Sequence, residues 1–378
     1  MKVLFVSEWY PNRYDAMIGL FVQKHAMAVS AQGIDVCVLY LHHDTHINTR
    51  EIVERTTNGV REVTVYYPNH YLSALRAGWR NIRPQWGMPD ICQLNIIAKN
   101  AILPLWLKRH YNIPYTIIEH WSGYLPENGN YMRSSYLHRV LARTAVKHAS
   151  QVLTVSQKLA ENMQRCGLQH PHYGLINNVV DDFFYDRPDI LGKDKSKTHL
   201  LHISCFDEQA KNVCGLLRAV HHVATKRQDF TLTLVGSGND YQRVSKYADS
   251  LAFPPALLHW TGELTSMHVA EQFDKADVFV LFSNYENAPV VISESLATGT
   301  PIIATRVGSI PDMVCNECGI LVSAGDEKGL EQALSKMLDH HSDYDRKVIR
   351  RYGKQYSFET VGKQLVTIYQ SIINAPVL

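Results

Sequence analysis

Short apolar runs alternate with amphipathic stretches along almost the whole chain. KVLFV at 2–6, bounded by Ser7 and Pro11, reads as a buried strand. A helix is predicted over about 19–31, with Phe21, Val22, His25, Ala26 and Val29 on one face and Gly33 after its end. DVCVLYL (35–41) and GVREVTVYYP (59–68) read as strands, and YLSALRAGWRNIRPQW (71–86) as an irregular stretch of arginines and bulky apolar residues. Pro89-Asp90-Ile91 leads into a predicted helix at about 95–110, followed by a strand PYTIIEH (114–120) and a helix RVLARTAVKHA (139–149). QVLTVS (151–156) and GLINNVV (174–180) complete the strands of this half.

The text turns polar from about 184 to 198, a candidate linker, and a second series then begins. Its strands are HLLHIS (199–204), FTLTLVG (230–236), HWTG (259–262), DVFVLFS (277–283), PIIAT (301–305) and GILVS (319–323). Helices are expected at 212–226, about 267–275 and in the stretch after Ser283, with one more at 357–373. Strands alternating with helices in both halves predict two parallel sheets, each covered on both faces. The expected architecture is therefore α/β: two doubly wound, Rossmann-like domains facing across a cleft, at residues 1–185 and 198–356. A C-terminal helix at about 357–378 is expected to pack back on the first domain. Ligands of such sheets bind outside the carboxyl ends of the strands.

Composition narrows the classes. The 378 residues are 46% hydrophobic and 20% charged, a globular balance, and the length suits two domains. A net charge of +2 argues against a dedicated nucleic-acid binder. Residues 1–190 hold 19 basic against 15 acidic side chains and the remainder 19 against 21, a mild basic bias at the front. Seven cysteines form no disulfide framework, and the one C-x-x-C, Cys315 with Cys318, has no second pair to build a metal site. With no apolar run of membrane-spanning length and no signal-peptide pattern at the start, the expected location is cytoplasmic.

The stretch NYENAPVVISESLATGTP (284–301) carries two glutamates, Glu286 and Glu294, in otherwise apolar text. It follows a strand, so its loop falls where an α/β sheet binds ligands. Pro289 suits a first helical turn, and the amides around Ala288, Pro289, Val290 and Val291, with the helix dipole, would favour a phosphate. A carboxylate buried one turn in, as at Glu294, suits the paired hydroxyls of a ribose or sugar. The plain alternative is a glutamate near a helix start and another in a turn that reaches the surface. Gly236 and Gly238 in LVGSGND would let the chain pass close to a nucleotide, or simply turn.

S-x-x-E-x7-E followed by A-x-G-x-P, at Ser283, Glu286, Glu294, Ala297, Gly299 and Pro301, resembles the signature of the group 1 (family 4) retaining glycosyltransferases of the GT-B fold. Further pieces of that pattern stand in order along nearly the whole chain. They are Gly19 in AMIGLFVQKHA, Pro89-Asp90, EHWSGY around His120, TVS at 154–156, NNVVD at 177–181, KN at 211–212, VGSG at 235–238 and ATRVGSIPDMV at 304–314. The resemblance implies a nucleotide-diphosphate sugar as donor and an acceptor hydroxyl, with no metal or other cofactor. It implies that Glu294 binds the ribose, Glu286 the donor sugar, and Lys211 the leaving diphosphate, either alone or with another residue such as Asn212 sharing the work. It also implies that the Gly19 loop lies near the diphosphate and acceptor, and His120 beside the anomeric carbon. The sequence departs from the family where an arginine commonly precedes the lysine: SCFDEQAKN has Cys205 there. Asp343-Tyr344-Asp345, the one Asp-x-Asp of metal-dependent transferases, stands in polar text and reads as a solvated turn.

Arg76, Arg80 and Arg83 alternate with Leu72, Leu75, Trp79 and Trp86, and Arg139, Arg143 and Lys147 add a basic stripe. In this fold the first domain holds the acceptor. The pattern therefore suggests a sugar or lipid-linked sugar acceptor and peripheral contact with an anionic inner membrane face, in polysaccharide or glycolipid assembly. Exposed charges with tryptophan packed beneath them are the alternative. Two other functions fit the architecture: a nucleotide-sugar isomerase or epimerase, and a silent donor-binding subunit, to which Cys205 points.

Overall fold

The computed structural model describes residues 1–187 and 197–375. In the first half the apolar runs become β1 (Lys2–Ser7), β2 (Asp35–His43), β3 (Glu51–Thr57), β4 (Val60–Tyr67), β5 (Ile91–Asn95), β6 (Tyr115–Glu119), β7 (Gln151–Thr154) and β8 (Tyr173–Leu175). They pair in the order β3-β4-β2-β1-β5-β6-β7-β8. All neighbours are parallel except β3, which lies antiparallel to β4 on the edge. The central β5 and β6 are buried at every residue, as a sheet covered on both faces requires.

The structure departs from expectation at four places in this half. The segment 91–95 is a central strand, and α3 (Ile102–Tyr111) begins only after it. Gln93 and Asn95 masked the strand. Both are buried, and Gln93 Oε1 accepts the hydroxyls of Thr116 at 2.6 Å and Tyr369 at 2.9 Å. The stretch 71–86 is one continuous helix, α2 (Tyr71–Trp86), not irregular chain. Its buried residues Ala74, Leu75, Gly78, Trp79, Ile82 and Trp86 follow helical spacing, which the intervening arginines and Pro84 obscured. Edge strand β3 was missed because its EIVERTT is mostly exposed and half polar. GLINNVV is a strand only as far as Leu175.

The second half forms β9 (Thr198–Ile203), β10 (Phe230–Val235), β11 (Leu258–Gly262), β12 (Val278–Leu281), β13 (Ile302–Thr305) and β14 (Gly319–Val322). They form a parallel sheet in the order β11-β10-β9-β12-β13-β14. The candidate linker at 184–198 lies largely outside the described residues. The chain divides into two compact units, Met1–Val179 with Phe358–Leu378, and Val180–Ser357. The last helix, Phe358–Ile373, packs on α1 (Leu20–Ser30), as expected from its length. Gly362 allows the approach, since a Cβ there would overlap the Ala28 carbonyl. No described helix is long and apolar enough to cross a membrane.

Candidate active site

In the second sheet β9 and β12 are neighbours whose onward connections run to opposite sides, to β10 and to β13. Their carboxyl ends are thus a topological switch point, where open sheets form a ligand crevice. The loops leaving these two strands are fastened together. Asn284 donates its amide to the Ala210 carbonyl at 2.8 Å and its side-chain Nδ2 to the Gln209 carbonyl at 3.0 Å. Lys211 ends the short helix Glu208–Lys211. Its Nζ donates to Glu286 Oε1 at 2.6 Å, and the Ser283 hydroxyl donates to the same oxygen at 2.8 Å. The side chains of Lys211 and Glu286 are only 15% and 8% exposed. Burial acts most strongly and would depress the lysine pKa, but the Glu286 carboxylate, joined by Cys205 and Asp207, outweighs it and raises the pKa. Lys211 is therefore a fixed cation.

Behind Glu286 runs the helix Val290–Thr298, buried from Ile292 onward, with Glu294 buried on it. Pro289 caps this helix in extended backbone rather than opening its first turn. The amides of Val290 and Val291 head the helix, where no intrahelical acceptor exists. Gly308 explains the segment ATRVGSIPDMV: it sits at φ +56°, and a Cβ would overlap the Glu286 carbonyl, while the Ser309 amide donates to the Asn287 carbonyl at 3.1 Å. That segment is a backstop for the Glu286 loop.

Other predicted donor contacts have clear local duties. A Cβ on Gly236 would overlap the Ser204 carbonyl, and one on Gly238 would lie 2.7 Å from the Phe206 amide nitrogen. These glycines thus let the loop after β10 press on the loop after β9. Asn212 is left-handed at φ 48°, and its side chain lies against Gly215. The first amides of the helix Val213–Ala224 are taken by Glu208, at 2.8 Å to Val213 and 3.0 Å to Cys214. Cys205 is exposed. Asp345 caps the helix Arg346–Gly353 through the Lys347 amide, in keeping with the turn expected there.

The first sheet has its own switch point, between β1 and β5. Gly19 heads α1 at φ 66°, and a Cβ there would overlap the Trp9 backbone, so the crowding is with the loop after β1. His120 follows β6 and is buried, its ring 4.2 Å from that of Phe21 and 5.5 Å from that of His25. Burial, then His25, drive its pKa well below the usual value, so the imidazole is neutral at pH 7. The buried Glu119 carboxylate accepts the amides of Ile97, His120 and Trp121 at 3.0, 2.9 and 3.0 Å, which fixes the His120 backbone. Arg76, Trp79, Arg80 and Arg83 lie on α2.

Sequence reasoning passed over Glu119 and Glu8. Glu8 directly follows β1 at the switch point, and its amide donates to the Asn95 carbonyl. Burial pushes its carboxyl up to about 7, against the pull of Lys99. Tyr40, Tyr67 and Tyr71 are close enough to feel its charge. The available signal was its place, one residue past the first strand, a position that patterning does not mark.

Two family models match in sequence order: Glycosyltransferase Family 4 over residues 18–182 and Glycosyl transferases group 1 over 197–340. The chain belongs to the group 1, family 4 glycosyltransferases. The N-acetyl-alpha-D-glucosaminyl L-malate synthase of Bacillus anthracis is 26% identical over 62% of this chain and 62% of its own length. The glycogen synthase of Mycobacterium tuberculosis is 23% identical over 98% of this chain and 94% of its own. For the first two curated relatives matched, the alignment spans 62% and 44% of the relative. Among solved structures, sucrose-phosphate synthase from Thermosynechococcus elongatus superposes with a TM-score of 0.76 at 17% identity, covering 98% of both chains. Anabaena HepE in complex with UDP-glucose gives 0.72 at 16% identity, over 98% of this chain and all of that one. These likenesses support the two-domain GT-B fold.

Proposed function

We propose that the protein transfers a sugar from a nucleoside-diphosphate sugar to an acceptor hydroxyl with retention of anomeric configuration, in assembly of a cell-surface polysaccharide or glycolipid. The observation that carries this reading is the Lys211–Glu286 pair at the switch point of the second sheet, beside the amino end of the helix bearing Glu294. A cation and a helix start suit a diphosphate, and a carboxylate on each side of them suits a sugar and a ribose. In this reading residues 198–356 are the donor domain, and residues 1–185 with the C-terminal helix are the acceptor domain. UDP-sugars are the first donor class to test, since HepE and a trehalose-6-phosphate enzyme of similar fold were solved with uridine donors or analogues.

Lys211 would neutralise charge gathering on the leaving diphosphate, and Glu286 would orient the sugar while holding Lys211 in place. The acceptor hydroxyl would attack from the face the phosphate leaves, with the phosphate oxygen taking its proton. The protein's contribution is then orientation and charge stabilisation. Neutral His120 and the Gly19 loop serve the transferred sugar, and Glu8, with its tyrosines, binds acceptor hydroxyls.

The test is nucleoside diphosphate release from a panel of nucleotide sugars, beside donor-induced thermal shift. Glu294→Ala should weaken donor binding by about tenfold or more, the worth of a charged hydrogen bond. Lys211→Ala should lower turnover by about a hundredfold. Wild-type kinetics in both variants would remove the site, and binding without release would favour the silent subunit.

A further inference from the structure

Between α2 and α3 lies a cavity of about 810 Å³, wholly within the first unit. That is the size of a small-molecule site, typically about 300–1,000 Å³. Its apolar lining includes Leu75 and Trp79 of α2 and Leu103 of α3, all buried. The indole N–H of Trp79 has no acceptor among the described residues. At the edge, Trp106 remains 36% exposed and Leu72 51%.

Arg76, Arg80 and Arg83 also line this cavity. Their spacing of four and three residues puts them on one face of α2, and all three are exposed. None of their side chains forms a salt bridge or hydrogen bond among the described residues, and the Arg83 guanidinium lies 5.7 Å from the Tyr111 ring. Among the described residues, no acidic side chain lines the cavity. Three guanidiniums without carboxylate partners, set over an apolar hollow, complement a ligand with an anionic head and a hydrocarbon tail. A free sugar phosphate would match the charge but leave the hollow unfilled.

We propose that this cavity seats an anionic phospholipid of a bilayer surface. The headgroup phosphate is held by Arg76, Arg80 and Arg83, and the first part of an acyl chain lies against Trp79, Leu103 and Trp106. The seat docks the first unit on a membrane whose surface carries the acceptor, so it rests on the reading of that unit as the acceptor side.

Full-length protein is sedimented with vesicles of phosphatidylglycerol and phosphatidylcholine in equal parts, and with phosphatidylcholine alone. Wild type should bind the anionic vesicles far better, less so as salt rises. Replacing the three arginines together by glutamine should weaken binding by about a hundredfold, roughly fivefold for each. Trp106→Ala should weaken it without changing the salt dependence. Phosphatidylglycerol brominated on its acyl chains should quench tryptophan fluorescence, and less so in Trp106→Phe.

The proposal is overturned if wild type stays in solution with anionic vesicles, or if the triple variant binds as wild type does. Donor-induced thermal shift on the same samples checks the fold and separates the two readings. A shift without vesicle binding removes the lipid seat and leaves the transferase. Vesicle binding without a shift from any nucleotide sugar does the reverse.

Discussion

Glu8 stands in a position that costs the folded protein energy. Its carboxyl is pushed up to about 7 chiefly by burial, against the pull of Lys99, and Tyr40, Tyr67 and Tyr71 stand around it. The unfolded chain releases this proton near 4.5 and the folded chain near 7. Between those values the folded state binds more protons, so stability falls as pH rises. Below about 4.5 the penalty is absent, and above about 7 it is complete. Allowing for partial exposure, we expect it to be about 2 kcal/mol. Glu8→Gln removes the titration, so urea unfolding should find the variant more stable than wild type at pH 8, with the gap shrinking toward pH 5. Its acceptor KM should rise. A carboxylate kept where glutamine would be more stable is the pattern of a residue retained for function. If wild type gained on the variant as pH rose, the assignment would be wrong.

Among the elements, the strands of both sheets were legible because a parallel sheet covered on both faces is built from apolar runs. The exceptions are instructive. Gln93 and Asn95 hid β5, since a buried polar side chain satisfied from another element looks, in sequence, like a surface one. In α2 the arginines of the outer face and Pro84 concealed an apolar face of regular helical period. The candidate site was legible where spacing within one segment fixes geometry, as for Ser283, Glu286 and Glu294. The Lys211–Glu286 pair spans 75 residues, and only the strand order brings it together. Gly308 is a similar case: its loop was visible as a motif, but its support of the Glu286 backbone was not. Gly308→Ala and Gly325→Ala can be compared directly. Both glycines have positive φ, +56° and +72°, but a Cβ at Gly325 meets nothing within 4 Å. Gly325→Ala should cost only the backbone penalty of about 1 kcal/mol and leave turnover unchanged. Gly308→Ala should cost more and lower turnover by displacing Glu286. Equal turnover in the two variants would show that Gly308 does not set the Glu286 loop.

At the scale of the whole molecule, the first unit is completed by the end of the chain. Val361, Leu365 and Tyr369 of the last helix are fully buried against the first-unit core, and the Tyr369 hydroxyl reaches Gln93 in the central strand β5. Residues 358–373 thus form part of the same hydrophobic cluster as Val3, Phe5 and Val22, although the second unit intervenes in sequence. Long-range closure of this kind makes the stability of the amino-terminal sheet depend on the carboxyl-terminal helix. Leu365→Ala in the full chain should destabilise the protein by about 2–4 kcal/mol, the usual cost of emptying a buried leucine site. Native-state hydrogen exchange should place the loss in β1, β2, β5 and α1, with amides of β9, β12 and β13 little changed. Donor-induced thermal shift should persist, because Lys211, Glu286 and Glu294 lie in the other unit. If exchange instead quickened equally in both sheets, the two units would unfold as one, and the last helix would stabilise the entire chain rather than the domain on which it packs.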